Sequence, residues 1–350
     1  MTRAVHIVAT GARTPIGLHS ASSAAAYRAG ISGVVQHPFM IDRAGEPVAS
    51  ALDSSIDPEL VGPERLLALA ESALHEVCEP LCGISAPLPG LPLYLCLPEL
   101  RPGFTTLDAA AVQTGLLGMV NSLDVHITEV KVFTAGHAAG FSALSMARQR
   151  IQQGALDGCL IGGVDSYLHA ETVDWLEDHL QLAGSVSRSG FVPGEGAGFC
   201  LLLSESACGR LGLSGISRVT TAAISVETKL IKTPDVCLGV GLTAAVREAL
   251  GVLHAGGERI STIICDINGE RYRGEEWGFA CLRLSQYLDD PTAYNSPADC
   301  WGDLGSASVP LFAMLACQAT LRGYSPGPQT LLWASSEHGL RGAAVLDARL

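Results

Sequence analysis

Charge is scarce in this 350-residue chain: Asp, Glu, Lys and Arg make up 16% of it, against 48% hydrophobic residues. That balance excludes a disordered chain and suits a large buried core with extensive interface. The charge that is present has one dominant sign. The formal net charge is −13 and no Lys/Arg run interrupts it, which removes the electrostatic footprint that nucleic acid or an anionic membrane surface requires. No stretch approaches the ~20 uninterrupted apolar residues of a membrane span. The early apolar run His6-Ile7-Val8-Ala9 is too short for a signal-peptide core and reads as a first strand. Cysteine is frequent but unorganised. The eleven residues stand singly on apolar runs with no C-x-x-C pair, so neither a disulfide framework nor a zinc site is expected. Cys78 and Cys82 are at i,i+4 spacing and read as small packing groups. Cys159 and Cys265 fall on expected core strands and read as inert thiols. These readings together predict a soluble, cytoplasmic protein with reduced cysteines.

Low-complexity linkers are absent as well, so the chain does not read as beads on a string. Expected strands at Val5–Ala9, Leu93–Leu97, Glu129–Phe133, Cys159–Ile161 and Phe199–Leu203 alternate with helical patterns at Ser20–Ala29, Pro63–Cys78, Leu107–Gly118 and Gly140–Gln153. The stretch 32–62 reads as irregular and Pro80–Pro92 as a proline-rich connection. The second half repeats the rhythm. Strands are expected at Val219–Val226, Ile260–Ile267, Thr330–Ala334 and Ala343–Leu346, with helices at Gly241–Leu253, Glu275–Gln286 and Ser306–Arg322. Alternation of this kind predicts α/β architecture with parallel or mixed sheets, as two halves, 1–210 and 211–350, fused face to face.

Three glycine-marked segments carry more specific information. Val8-Ala9-Thr10-Gly11-Ala12-Arg13-Thr14-Pro15-Ile16-Gly17 makes an opening strand and turn. Gly154-Ala155-Leu156-Asp157-Gly158-Cys159-Leu160-Ile161-Gly162-Gly163-Val164-Asp165 follows the central helix. Gly190-Phe191-Val192-Pro193-Gly194-Glu195-Gly196-Ala197-Gly198 precedes a strand. In this order and at these intervals they resemble the β-ketoacyl synthases, the condensing enzymes of fatty-acid and polyketide synthesis in the thiolase superfamily. The resemblance implies a thiolase fold, five-layered αβαβα from two fused βαβαβ-type halves, and a homodimer built across the first half's sheet.

The same resemblance locates the positions where such enzymes do their chemistry. Their nucleophilic cysteine stands at the N-terminus of a buried helix, where the helix end lowers the thiol pKa and backbone N–H groups face an oxyanion. The matching segment here is Thr134-Ala135-Gly136-His137-Ala138-Ala139-Gly140, with Gly136 at the nucleophile position. The first family histidine maps onto Asn268 in Asp266-Ile267-Asn268-Gly269-Glu270, and an amide does not exchange a proton near neutral pH. The second maps onto Asp303 in Trp301-Gly302-Asp303-Leu304-Gly305, and the family lysine onto Ala298. Four changed positions together leave no Claisen-condensation set.

Two histidines remain as candidates. His137 adjoins Gly136 at a helix start and is either a general base or nucleophile, or a histidine packed at the dimer interface or capping the turn. His338, next to Glu337 in the last glycine-containing loop, is either an active-site edge residue or part of a solvated pair. Glu195 needs a partner, for which Arg188 or a burial-raised pKa are the options. Asp266, Glu270, Arg271 and Arg273 read as a solvated loop at the mouth of the second half. Asp303 with Asp299 and Glu275 has no spacing specific to a metal, and no metal or cofactor is expected. The reading that follows is a non-condensing pseudoenzyme, a homodimer that binds rather than catalyses. Resemblance places such proteins as adaptors, accessory proteins or partner subunits in bacterial biosynthetic or secretion clusters, with another subunit, an acyl carrier protein or a cargo protein as partner. The alternative is a 3-oxoacyl-ACP synthase-type acyltransferase with a relocated nucleophile.

Overall fold

The computed structural model describes residues 3–349 apart from 85, 87–89, 124, 186, 232 and 252–257. The chain runs β1 (Val5–Arg13), α1 (Ser20–Arg28), a hairpin of β2 (Val34–Ile41) and β3 (Pro47–Ala51), α2 (Gly62–Cys78), β4 (Leu91–Leu97), α3 (Thr106–Asn121), β5 (Ile127–Thr134), α4 (Ala139–Gln152), β6 (Gly158–Ser166), α5 (Ala170–Asp178), β7 (Glu195–Ser204) and α6 (Glu205–Leu211). It continues through β8 (Ser217–Val226), α7 (Val240–Leu250), β9 (Thr262–Cys265), α8 (Arg271–Leu284), β10 (Tyr294–Asn295), α9 (Ala298–Trp301), α10 (Ser308–Leu321), β11 (Gln329–Ser335) and β12 (Leu340–Asp347).

Ten strands form one sheet in the order β10-β9-β11-β12-β8-β1-β7-β6-β4-β5. Outward from the β1/β8 junction the two wings have the same plan. β4 is parallel to β5 and β6, and β6 is antiparallel to β7. In the other wing β9 is parallel to β10 and β11, and β11 is antiparallel to β12. The wings face each other across α4 and α10, each of which contacts strands of both. α2 and α3 cover the outer face of the first wing, and α7 and α8 that of the second. This is the expected α/β arrangement of five layers.

The sequence explains the central layer. α10 is apolar on every side, and Ser308 to Gln318 are all buried, as befits a helix enclosed between two sheets. Glycines let the layers approach. A Cβ on Gly162 would lie 2.1 Å from the Phe199 ring, and one on Gly163 would lie 2.3 Å from the Ser306 carbonyl.

β6 runs on past Ile161, where the sequence ended the strand, and takes in both glycines, because close packing requires them there. Likewise β7 begins at Glu195, inside the glycine-rich run. The supposedly irregular 32–62 contains the β2–β3 hairpin. The last residues of the helix expected to reach Leu253, and part of the Pro80–Pro92 connection, lie outside the described residues.

Candidate functional site

β5 delivers the chain to Thr134, and a single 3-10 turn, Gly136–Ala138, opens into α4. Gly136 adopts φ +60°, a left-handed conformation that costs other L-residues about 1–2 kcal/mol. A Cβ there would lie 3.0 Å from Cγ and 3.2 Å from Cδ of Glu99, so Glu99 fills the space beside the position where a nucleophile would stand. The following N–H groups are partly claimed. Ala138 N–H donates to Ser336 Oγ at 2.8 Å, and that hydroxyl donates to the Ala135 carbonyl at 2.5 Å.

The second half supplies the rest from the ends of β9 and β11 and the turn before α10. The His137 Nε2 lies 2.7 and 2.9 Å from the two Asp303 carboxylate oxygens. Asn268 Nδ2 donates to Asp303 Oδ2 at 2.5 Å and to Glu270 Oε2 at 3.1 Å. Gly305 N–H adds a bond to Asp303 Oδ1 at 2.8 Å. Behind them Arg273 donates to Asp266 at 2.5 Å, to Glu270 at 3.0 Å and to the Ser335 carbonyl at 2.7 Å. Its Nη2 stands 3.4 Å from His137 Nε2. Gln181 bridges Glu270 and Glu337 at 2.8 and 2.6 Å.

His137 and Asp303 are buried, so their charges are interpretable only as a pair. Burial works to raise the Asp303 carboxyl, but His137, Arg273 and the Gly305 N–H outweigh it and hold it well below the usual carboxylate range. Burial works to lower the His137 imidazole, and Asp303 outweighs it despite the opposing Arg273, so its pKa lies above the ordinary value. Both shifts favour imidazolium on carboxylate. For Asp266 burial prevails over Arg273 and raises the carboxyl.

The structure thus brings Gly136, His137, Asn268 and Asp303 together. Ala298 is half-buried on the short helix α9, and its methyl has no group to contribute. His338 is exposed and pairs with Glu99 at 2.9 Å. Glu195 is clasped by Arg65, through contacts of 2.5 and 2.6 Å; Arg188 is exposed, so the expected partner is corrected. Asp266, Glu270 and Arg273 are buried, which overturns the solvated-loop reading for all but Arg271, an exposed partner of Glu275. Glu275, Asp299 and Asp303 do not form a ligand cluster. Among the described residues Glu227, Cys237 and Glu276 are the group with ligand atoms within 4.8 Å of one another. Their carboxylates already accept bonds from Gly241 N–H, Arg341 and Ser335.

Sequence reasoning missed Glu99, Ser336 and the core position of Arg273. Around Gly136 and His137 the remaining cleft, walled by Glu99, Leu100, Arg101, Tyr167, Trp175 and His338, holds only about 20 Å³. That is room for about one water, far below the ~300 Å³ of a small-ligand site. Chemically the arrangement can hold a buried ion pair. Gly136 presents no thiol, and the cleft beside it is too small for an acyl chain.

Residues 122–207, from just before β5 to the start of α6, match the family model for the beta-ketoacyl synthase N-terminal domain. No curated protein matches the chain. Among solved structures, a chain of the AntDE:AntF complex, a type II PKS acyl-carrier protein with its ketosynthase bound to the hexaketide, is similar with a TM-score of 0.79 at 16% identity over 99% of both chains. The ishigamide ketosynthase/chain length factor is similar with a TM-score of 0.71 at 19% identity, over 98% of this chain and 99% of that one. A ketosynthase from module 6 of the bacillaene synthase of Bacillus subtilis 168 gives 0.75 at 14% identity, over 99% and 72%. The chain has the fold of these ketosynthases.

Proposed function

We propose that this chain is a non-condensing member of the ketosynthase-fold proteins, one that acts by binding as a subunit or accessory protein. The observation that carries the reading is the filled site. Gly136 offers no nucleophile, Glu99 takes the adjacent space, and the cleft left over holds about 20 Å³. His137, a nucleophile candidate by position, has its Nε2 on Asp303, where a protonated imidazole has no lone pair to attack with. An oxyanion would also have to displace Ser336 from the Ala138 N–H.

The form in which it acts is proposed to be a homodimer. β5 is the sheet edge, and an unpaired edge calls for a partner or protection. Ile224 and Val226 on β8 are exposed as well. The partner class follows from the similar structures, one of which is a carrier protein with its ketosynthase and another a ketosynthase/chain length factor. A carrier protein or a second ketosynthase-fold subunit is therefore the first partner to test.

The test is intact-mass measurement after incubation with acyl-CoA and with acyl carrier protein. No covalent acyl adduct is expected. An adduct mapped to any residue would overturn the reading in favour of an acyltransferase with a relocated nucleophile.

A further inference from the structure

Away from this site, two open hollows of about 660 and 710 Å³ share a wall made by Arg28 and Tyr324. The first lies between α1, α10, β9 and the edge strand β10. Ile264, Leu315, Ala316 and Ala319 give it an apolar lining. Two hydroxyls in it retain hydrogen-bonding capacity. Thr262 Oγ1 is buried with no partner, and Tyr27 OH reaches Asn295 Oδ1 only at 3.5 Å. The second hollow is lined by small residues of α1 together with Arg28 and Arg322.

The Arg28 guanidinium stacks over the Tyr324 ring at 4.2 Å, which leaves its N–H edge free to receive an anion. Neither Arg28 nor Arg322 makes an ion pair among the described residues. Such a cleft has the size of a small-molecule site, largely apolar with a few polar groups that fix orientation. Asp299 lines the first hollow too, and Tyr27 is within electrostatic reach of both Asp299 and Tyr324. A carboxyl there disfavours a multiply charged ligand and leaves the arginine rim as the place for a single negative charge.

We propose that this cleft binds a small apolar monocarboxylate, with its body on Ile264, Leu315, Ala316 and Ala319 and its carboxylate at Arg28, on the wall shared with the hollow that Arg322 lines. The test uses the full chain and a matched pair of probes, 2-naphthoate and the uncharged 2-naphthylmethanol, titrated by fluorescence. The carboxylate should bind about tenfold tighter than the alcohol, the scale of one charge-assisted contact. Arg28→Gln with Arg322→Gln, both exposed positions, should abolish that preference and leave alcohol binding in place. Ala319→Phe, at a half-buried lining position, should weaken both probes at least about tenfold. Equal affinity of the two probes for the native chain would overturn the proposal. So would a preference that survives the double arginine variant, or no saturable binding of either probe. None of these outcomes bears on the acyl-adduct test of the Gly136 site.

Discussion

The His137–Asp303 pair sets a stability experiment whose sign and size follow from its geometry. Asp303→Asn keeps the shape of the side chain and removes the charge. It leaves a buried imidazole and the Arg273 guanidinium without the carboxylate that lies 2.7 Å from His137. Removing one partner of a buried pair costs about 3–5 kcal/mol, which lowers the melting temperature by roughly 4–7 °C in a chain of 350 residues. The loss should depend on pH. Asp303 has a folded pKa below its ordinary 3.8, so its contribution is present above pH 3.8 and is lost as pH falls through the folded value. His137 has a folded pKa above 6.5, so its contribution is full below 6.5 and is lost as pH rises through the folded value. The pair therefore contributes most between about pH 4 and 6.5. Urea unfolding of both proteins followed by circular dichroism at pH 5.5 and pH 9 should show a gap that narrows at the higher pH. A gap below about 1 kcal/mol at pH 5.5, or one that widens toward pH 9, would refute the assignment of a charged pair.

Other positions give shorter tests. Arg65→Met should destabilise the fold by about 3–5 kcal/mol because it strands the buried Glu195 carboxylate, and adding Glu195→Gln should recover part of that loss in the same urea assay. Gly136→Ala should cost about 1–2 kcal/mol from its left-handed φ, again read by urea midpoint. Sedimentation at micromolar concentration should give a dimer, with an interface above ~2,000 Å² in total; a monomer would remove the binding surface proposed for β5. Gly136→Cys should yield no ketoacyl product in a malonyl-dependent condensation assay, since each missing polar group of the family set costs ~3–4 kcal/mol of barrier, and turnover by that single variant would show the remainder of the site to be competent.

How far these features were legible in the sequence depends on the range of the interactions that make them. β4 reads directly because Leu91 to Leu97 are all buried and form an unbroken apolar run. The α4 and α10 segments read as helices from period and length. β2 did not, because its residues are mostly half-exposed or exposed around Pro38, so neither alternation nor a buried run marks it. Gly162 and Gly163 misled for a different reason. Glycine signals a turn locally, whereas here its use is set by Phe199 and Ser306, far along the chain.

The site divides in the same way, and the division bears on what restoring activity would take. Position-by-position matching located Gly136, Asn268 and Asp303, since each sits in a short segment with its own pattern. It could not reveal that Glu99 leans into the Gly136 position, that Ser336 holds the Ala138 N–H, or that Arg273 stands behind His137. These contacts join residues from 37 to 198 positions apart and have no local signature. Physically they matter more than the missing thiol. A side chain can be restored by one substitution, whereas Asp303, Asn268, Glu270, Asp266 and Arg273 satisfy one another in a buried network. Opening that network to admit a substrate would leave several buried charges unpaired at once, and each such loss is large on the scale of total fold stability. Any role that leaves this network intact keeps the stability it supplies, and the binding role proposed above is such a role.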